Sequence, residues 1–124
     1  MAKNYCHFVG RAVKDAELKV TGNNMSVCNF RIAINENFKD SEGAWKPFVE
    51  YANCIIWGKY SEVMAPKITK GVMCAVDARL HTRSWDDKQS GEKRYAVEFT
   101  VKDLVVGGAV EAQEDTEDGD AVPF

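Results

Sequence analysis

Two long alternating segments, 72–85 (VMCAVDARLHTRSW) and 93–106 (KRYAVEFTVKDLVV), flank a seven-residue polar stretch, DDKQSGE. Successive side chains of a strand point to opposite faces, so this pattern predicts two strands paired as a long hairpin. Three more strands precede it. Residues 4–13 (NYCHFVGRAV) read as the first. Residues 25–36 (MSVCNFRIAINE) are the second, with Cys28, Phe30, Ile32 and Ile34 on one face and Asn29, Arg31, Ala33 and Asn35 on the other. VTGNN at 20–24 is the turn between them. A polar loop over 37–46 with two aromatics leads to a third strand, 47–57 (PFVEYANCIIW).

Between the third strand and the hairpin, 59–70 (KYSEVMAPKITK) predicts a short helix. Tyr60, Val63, Met64, Lys67 and Ile68 share a face, Pro66 cuts the helix short, and Gly71 stops it. An all-antiparallel sheet of five strands with one helix between strands three and four fits a five-stranded OB barrel. The same pattern also allows another small barrel or an α+β sheet. The expected class is therefore all-β with one short helix, as a domain over 1–107. From 108 to 124 periodicity ends and charge takes over, which predicts a disordered acidic tail.

At 124 residues, 45% of them hydrophobic, the chain can bury a core without disulfides. The four cysteines lie 20 or more residues apart in apolar stretches, which predicts buried free thiols and no zinc. No apolar run is long enough to span a membrane and no signal peptide opens the sequence, so a cytoplasmic location is expected. The net charge of −3 is unevenly distributed. Residues 108–124 carry six acids and no base, whereas 1–107 carry 16 basic against 13 acidic residues. A mildly basic body with an acidic tail is the object to explain.

The strand at 72–85 places Asp77, Arg79, His81, Arg83 and Trp85 on one face and Val72, Cys74, Val76, Ala78 and Leu80 on the other. The third strand puts Val49, Tyr51, Asn53, Ile55 and Trp57 together, with Tyr51 and Trp57 assigned outward. Its second face holds Phe48, Ala52, Cys54, Ile56 and Glu50 and is less clear. Phe38 and Trp45 join from the loop. A single aromatic on a strand is usually core. Several that share a surface with arginines suit an unpaired nucleic-acid strand, whose bases stack at about 1–3 kcal/mol each while cations neutralise phosphates. Catalysis finds no support. His7 and His81 are isolated, and the glycines of VGR, KVTGN, WGK and SGEK match neither a P-loop nor a dinucleotide fingerprint. No cofactor or metal is expected.

HFVGRAVKDAELKV, NFRIAIN, WGKYSEV, KGVMCAVDARLHTRSWDD and GEKRYAVEF, in that order over residues 4–106, resemble the bacterial single-stranded DNA-binding protein family. The resemblance implies an OB-fold. It also implies a homo-oligomer, a tetramer built as a dimer of dimers, that coats single-stranded DNA during replication, recombination and repair. Nucleoid association within the cytoplasm follows from that role. The family's stacking aromatics fall on Phe38, Tyr51, Trp57 and Trp85. Arg31 and Arg83 fall along the DNA path, with Lys59, Lys93 and Arg94 as further candidates, and Arg79 joins the DNA-binding set from its place on the face of strand 72–85. Asn53 stands where a basic residue is common, so the resemblance implies one phosphate partner fewer at that position. The family's acidic tail closes on Pro-Phe and recruits partner enzymes; Asp118, Asp120, Pro123 and Phe124 match it, while Ala121 and Val122 depart from its more acidic pattern. The family's long linker is nearly absent. A protein-interaction OB module and an RNA-binding or RNA-chaperone protein are the rival readings.

Overall fold

The computed structural model describes residues 2–107; the tail over 108–124, with Asp118, Asp120, Pro123 and Phe124, lies outside the described residues. Six strands follow in chain order: β1 (Cys6–Ala12), β2 (Glu17–Val20), β3 (Ser26–Lys39), β4 (Trp45–Trp57), β5 (Met73–Asp86) and β6 (Lys93–Val106). One helix, α1 (Lys59–Met64), and a 3-10 turn, Ala65–Lys67, lie between β4 and β5.

The sheet runs β1-β5-β6-β4-β3-β2 and closes through a β1–β3 pairing at Arg11↔Ala33 and Ala12↔Ile32. Five strands thus form the barrel, and β2 continues along β3 where β1 leaves off, pairing Glu17↔Asn29 through Val20↔Ser26. The OB-fold expectation holds. Three details differ from it. The first strand ends at Ala12, and β2 is an added short strand. The sheet is not wholly antiparallel, because β4 meets β6 in parallel at Cys54↔Phe99 and Ile55↔Thr100. That contact joins two hairpins, β3–β4 and β5–β6, along the flanks they present to each other, and no turn dictates its direction.

Closure demands a close approach. A Cβ on Gly10 would overlap the Ala33 carbonyl oxygen and Ile32 Cγ2. Only glycine lets β1 lie this near β3.

The core follows strand alternation. Cys28, Phe30 and Ile32 of β3, Ala52, Cys54 and Ile56 of β4, and Cys74, Val76 and Ala78 of β5 all point inward and are buried. This settles the inward face of the third strand. Three of the four thiols are buried and Cys6 is half-buried. Met64 and Ile68 join the core from the helical segment, but Val63 and Lys67 lie outside it. Val63 lies within α1 on the side away from the buried Ser61 and Met64, and the 3-10 turn containing Pro66 changes the angular step and turns Lys67 off the predicted face. Gly58, at φ 80, makes the turn from β4 into α1.

Both hairpins outrun the barrel. Trp45–Tyr51 of β4 and Arg79–Asp86 of β5 are exposed on both faces. Leu80, expected in the core, is 44% exposed for this reason. Ile55, expected outward, is buried. Half of the stretch 37–46 is strand rather than loop, since β3 reaches Lys39 and β4 begins at Trp45.

Candidate nucleic-acid interface

The β3–β4 register runs unbroken from Val27↔Trp57 to Lys39↔Trp45, which fixes the face of every side chain on it. Arg31, Asn53, Tyr51, Trp57 and Trp45 share the outer face. Arg31 lies opposite Asn53 and diagonal to Tyr51, and its guanidinium carbon sits 4.3 Å from the centre of the Tyr51 ring. Tyr51 is 52% exposed and Trp57 49%, so both assigned outward aromatics are outward.

The outer face of β5 and β6 carries the second group. A bulge leaves Lys102 unpaired on β6, between Asp77↔Asp103 and Ala78↔Val101, so β5 alternates without interruption. Arg79, His81, Arg83 and Trp85 therefore stay on one side, as expected. The Arg83 guanidinium lies 4.8 Å from the Trp85 ring centre, and its Nε donates to Glu98 Oε2 at 2.8 Å.

A cleft of about 450 Å³ joins the two groups, lined by Arg31, Asn53, Arg83 and Glu98 with Lys14, Asp15 and Glu17. Sequence reasoning found its arginines and missed its acids. Glu98 lies opposite His81 and diagonal to Arg83 within the β5–β6 hairpin, so the hairpin register sets it beside the guanidinium.

The remaining candidates are spread around the cleft. Lys59 opens α1 two residues after Trp57. Lys93 and Arg94 lie at the far end of the β5–β6 hairpin, paired with Asp86 (3.9 Å) and Asp87 (3.0 Å). Asp87 also accepts backbone N–H bonds from Gln89 and Ser90, and these bonds, with Arg94, hold its carboxyl below the usual carboxylate range. Phe38 falls on the opposite face of the β3–β4 hairpin from Tyr51. It meets Phe48 edge-on at 6.0 Å and keeps 48% of its surface exposed. Arg79 is exposed, stands opposite Thr100 and is not among the residues lining the cleft.

Asp77 organises a separate outer patch on β1 and β5. Its carboxylate oxygen receives the Tyr5 hydroxyl at 2.9 Å and contacts His7 Nδ1 at 2.6 Å. The hydrogen bond from His7, followed by that from Tyr5, lowers the Asp77 pKa, and the same contact raises that of Tyr5.

Flat rings roofed by cations, beside an open cleft, present faces for stacking and charges for an anionic backbone. The fold matches solved structures at low identity. A single-stranded DNA-binding protein of Plasmodium falciparum, solved with single-stranded DNA, superposes with a TM-score of 0.79 at 21% identity over 87% of this chain and 97% of that one. A Thermus aquaticus single-stranded DNA-binding protein gives 0.76 at 20% identity over 86% of this chain and 51% of that one. Sequence relatives are nearer. Single-stranded DNA-binding protein 1 of Chlorobaculum tepidum is 35% identical over 93% of this chain and 71% of its own length. The Treponema pallidum single-stranded DNA-binding protein is 33% identical over 90% of this chain and 64% of its own. The model of the single-strand binding protein family matches residues 3–106, and the chain belongs to that family.

Proposed function

We propose that this protein binds single-stranded DNA without strong sequence preference and shields it during replication, recombination and repair, as a non-catalytic protein acting in the cytoplasm on nucleoid DNA. The observation that carries the reading is the pair of ring–guanidinium units, Arg31 on Tyr51 and Arg83 on Trp85, whose arginines line one cleft. Stacking accepts any base because every base has a π-face, and phosphates are common to all sequences. Bases stack on Tyr51, Trp85, Trp57 and Phe38. Phosphates run along Arg31 and Arg83, with Arg79, Lys59, Lys93 and Arg94 extending the track. The placement of Phe38 on the reverse face of its hairpin requires the strand to pass around that hairpin rather than across it. Homo-oligomers, tetramers in the family's manner, let one strand engage several barrels. Asp118, Asp120, Pro123 and Phe124 form a tip that recruits partner enzymes.

Titration with poly-dT at low salt tests the first claim. Saturable quenching of tryptophan fluorescence that weakens as salt rises is expected, through counterion release. Unchanged fluorescence together with no mobility shift refutes it, and stronger binding to a matched RNA favours an RNA-directed role. Removing residues 121–124 should leave DNA binding intact and abolish capture of repair and replication enzymes.

A further inference from the structure

From a third copy of the ring–cation unit we infer a further base-stacking site: Trp45, roofed by Lys39, at the outer end of the β3–β4 hairpin. The inference rests on the single-strand reading above and assigns residues that reading leaves unused. Lys39 and Trp45 are direct cross-strand partners, and Lys39 Nζ lies 5.9 Å from the Trp45 ring centre. The two cleft units likewise set a cation against an exposed ring, Arg31 diagonally across the strands from Tyr51 at 4.3 Å and Arg83 two residues before Trp85 on β5 at 4.8 Å.

Position supports it. Trp45, Tyr51 and Trp57 are spaced six residues apart on one strand, so all three occupy the outer face of β4. At about 3.3 Å per residue each interval is about 20 Å, and the row runs from α1 to the hairpin tip. The tip itself is built rather than loose. Asp40 accepts the backbone N–H groups of Glu42 and Ala44, each at 2.9 Å, its own N–H donates to the Ala44 carbonyl, and Gly43 turns the chain at φ 85. Trp45 therefore emerges from a fixed turn, 48% exposed. Between Tyr51 and the hairpin tip the family's stacking set gives the chain one aromatic, Phe38, and that one points the other way. Trp45 supplies the stacking surface that keeps a strand leaving Tyr51 on the same side, with Lys39 beside it for a phosphate.

The test compares Trp45→Ala, Trp45→Phe and Lys39→Gln with the unmodified protein, using a poly-dT oligomer long enough to exceed one barrel's site. Trp45→Ala should weaken binding about 5- to 140-fold, the range that removal of one stack implies. Its salt slope should be unchanged. Trp45→Phe, which keeps a π-face, should retain most of the affinity. Lys39→Gln should flatten the salt slope by about 0.7, the value of one phosphate contact on a single strand. Light scattering on each variant guards against an assembly effect. If Trp45→Ala binds as tightly as the unmodified protein while Tyr51→Ala is impaired, the inference is overturned and the single-strand reading stands. If affinity falls only with a change of oligomeric state, Trp45 is an assembly residue and the inference fails. If the unmodified protein does not bind poly-dT at all, both fall.

Discussion

Glu98 places a negative charge inside a cleft proposed to hold a phosphodiester strand, and its replacement by Gln makes the sharpest test of the cleft's electrostatics. Its carboxylate is 19% exposed and holds Arg83, 53% exposed, at 2.8 Å. Two effects oppose each other in Glu98→Gln. A phosphate bound to Arg83 would lie about 6 Å from the Glu98 carboxylate, a repulsion of about 0.7 kcal/mol at bulk dielectric and about 2.8 at an effective dielectric of 20. The cleft is open to water, so the lower half of that range, about 1 kcal/mol, is relieved. Against it stands the loss of an exposed ion pair that orients Arg83, worth about 0–1 kcal/mol. Positioning survives in part, because the Trp85 ring 4.8 Å away still holds the guanidinium. Charge relief outweighs the part of that loss that remains, and Glu98→Gln should tighten poly-dT binding by up to about 5-fold. The salt slope adds a second readout. An arginine already neutralised by Glu98 releases no counterion on binding, so freeing it should steepen the slope by up to about 0.7. Fluorescence titrations at four or five salt concentrations, at one pH, measure both. Weaker binding with an unchanged slope would refute the argument and make Glu98 a positioning residue for Arg83.

Three further outcomes follow from the fold. Gly10→Ala should destabilise the barrel by about 1–3 kcal/mol, since the Ala33 carbonyl cannot move aside as a side chain could. Over the 106 described residues the unfolding entropy is about 0.22 kcal/mol/K, so the midpoint should drop by about 5–14 °C at fixed protein concentration; an unchanged midpoint counts against the β1–β3 closure. Burial pushes the thiols of Cys28, Cys54 and Cys74 up to about 11, 12 and 11, so at pH 8 a thiol reagent should label the native protein at Cys6 alone, and all four after denaturation. Asp87 is held below its ordinary 3.8 by the N–H groups of Gln89 and Ser90 and by Arg94. A depressed folded-state pKa contributes stability above the unfolded value and loses it as pH falls through the folded one. The β5–β6 turn should therefore keep its hydrogen-exchange protection down to about pH 4 and lose it below, and Asp87→Asn should remove that acid step.

Much of this was determined by sequence alone. Period-two alternation fixed the inward sets Cys28–Phe30–Ile32 and Cys74–Val76–Ala78, because a strand with one buried face has a single workable register. The same alternation sent Tyr51, Trp57, Arg83 and Trp85 outward, and their residue types already matched a stacking, charge-neutralising surface. Local pattern failed where position along the barrel axis matters. Leu80 and Phe48 have inward parity but lie past the barrel's end, where no opposite wall covers them. Pairings between segments distant in the chain were equally unreadable: the parallel contact of β4 with β6 and the closing contact of β1 with β3. Neither of these is set by spacing or by a turn. Each exists because barrel closure brings the two hairpins and β1 to a common seam, and only that closure placed Arg31 of one hairpin and Arg83 and Glu98 of the other around one cleft.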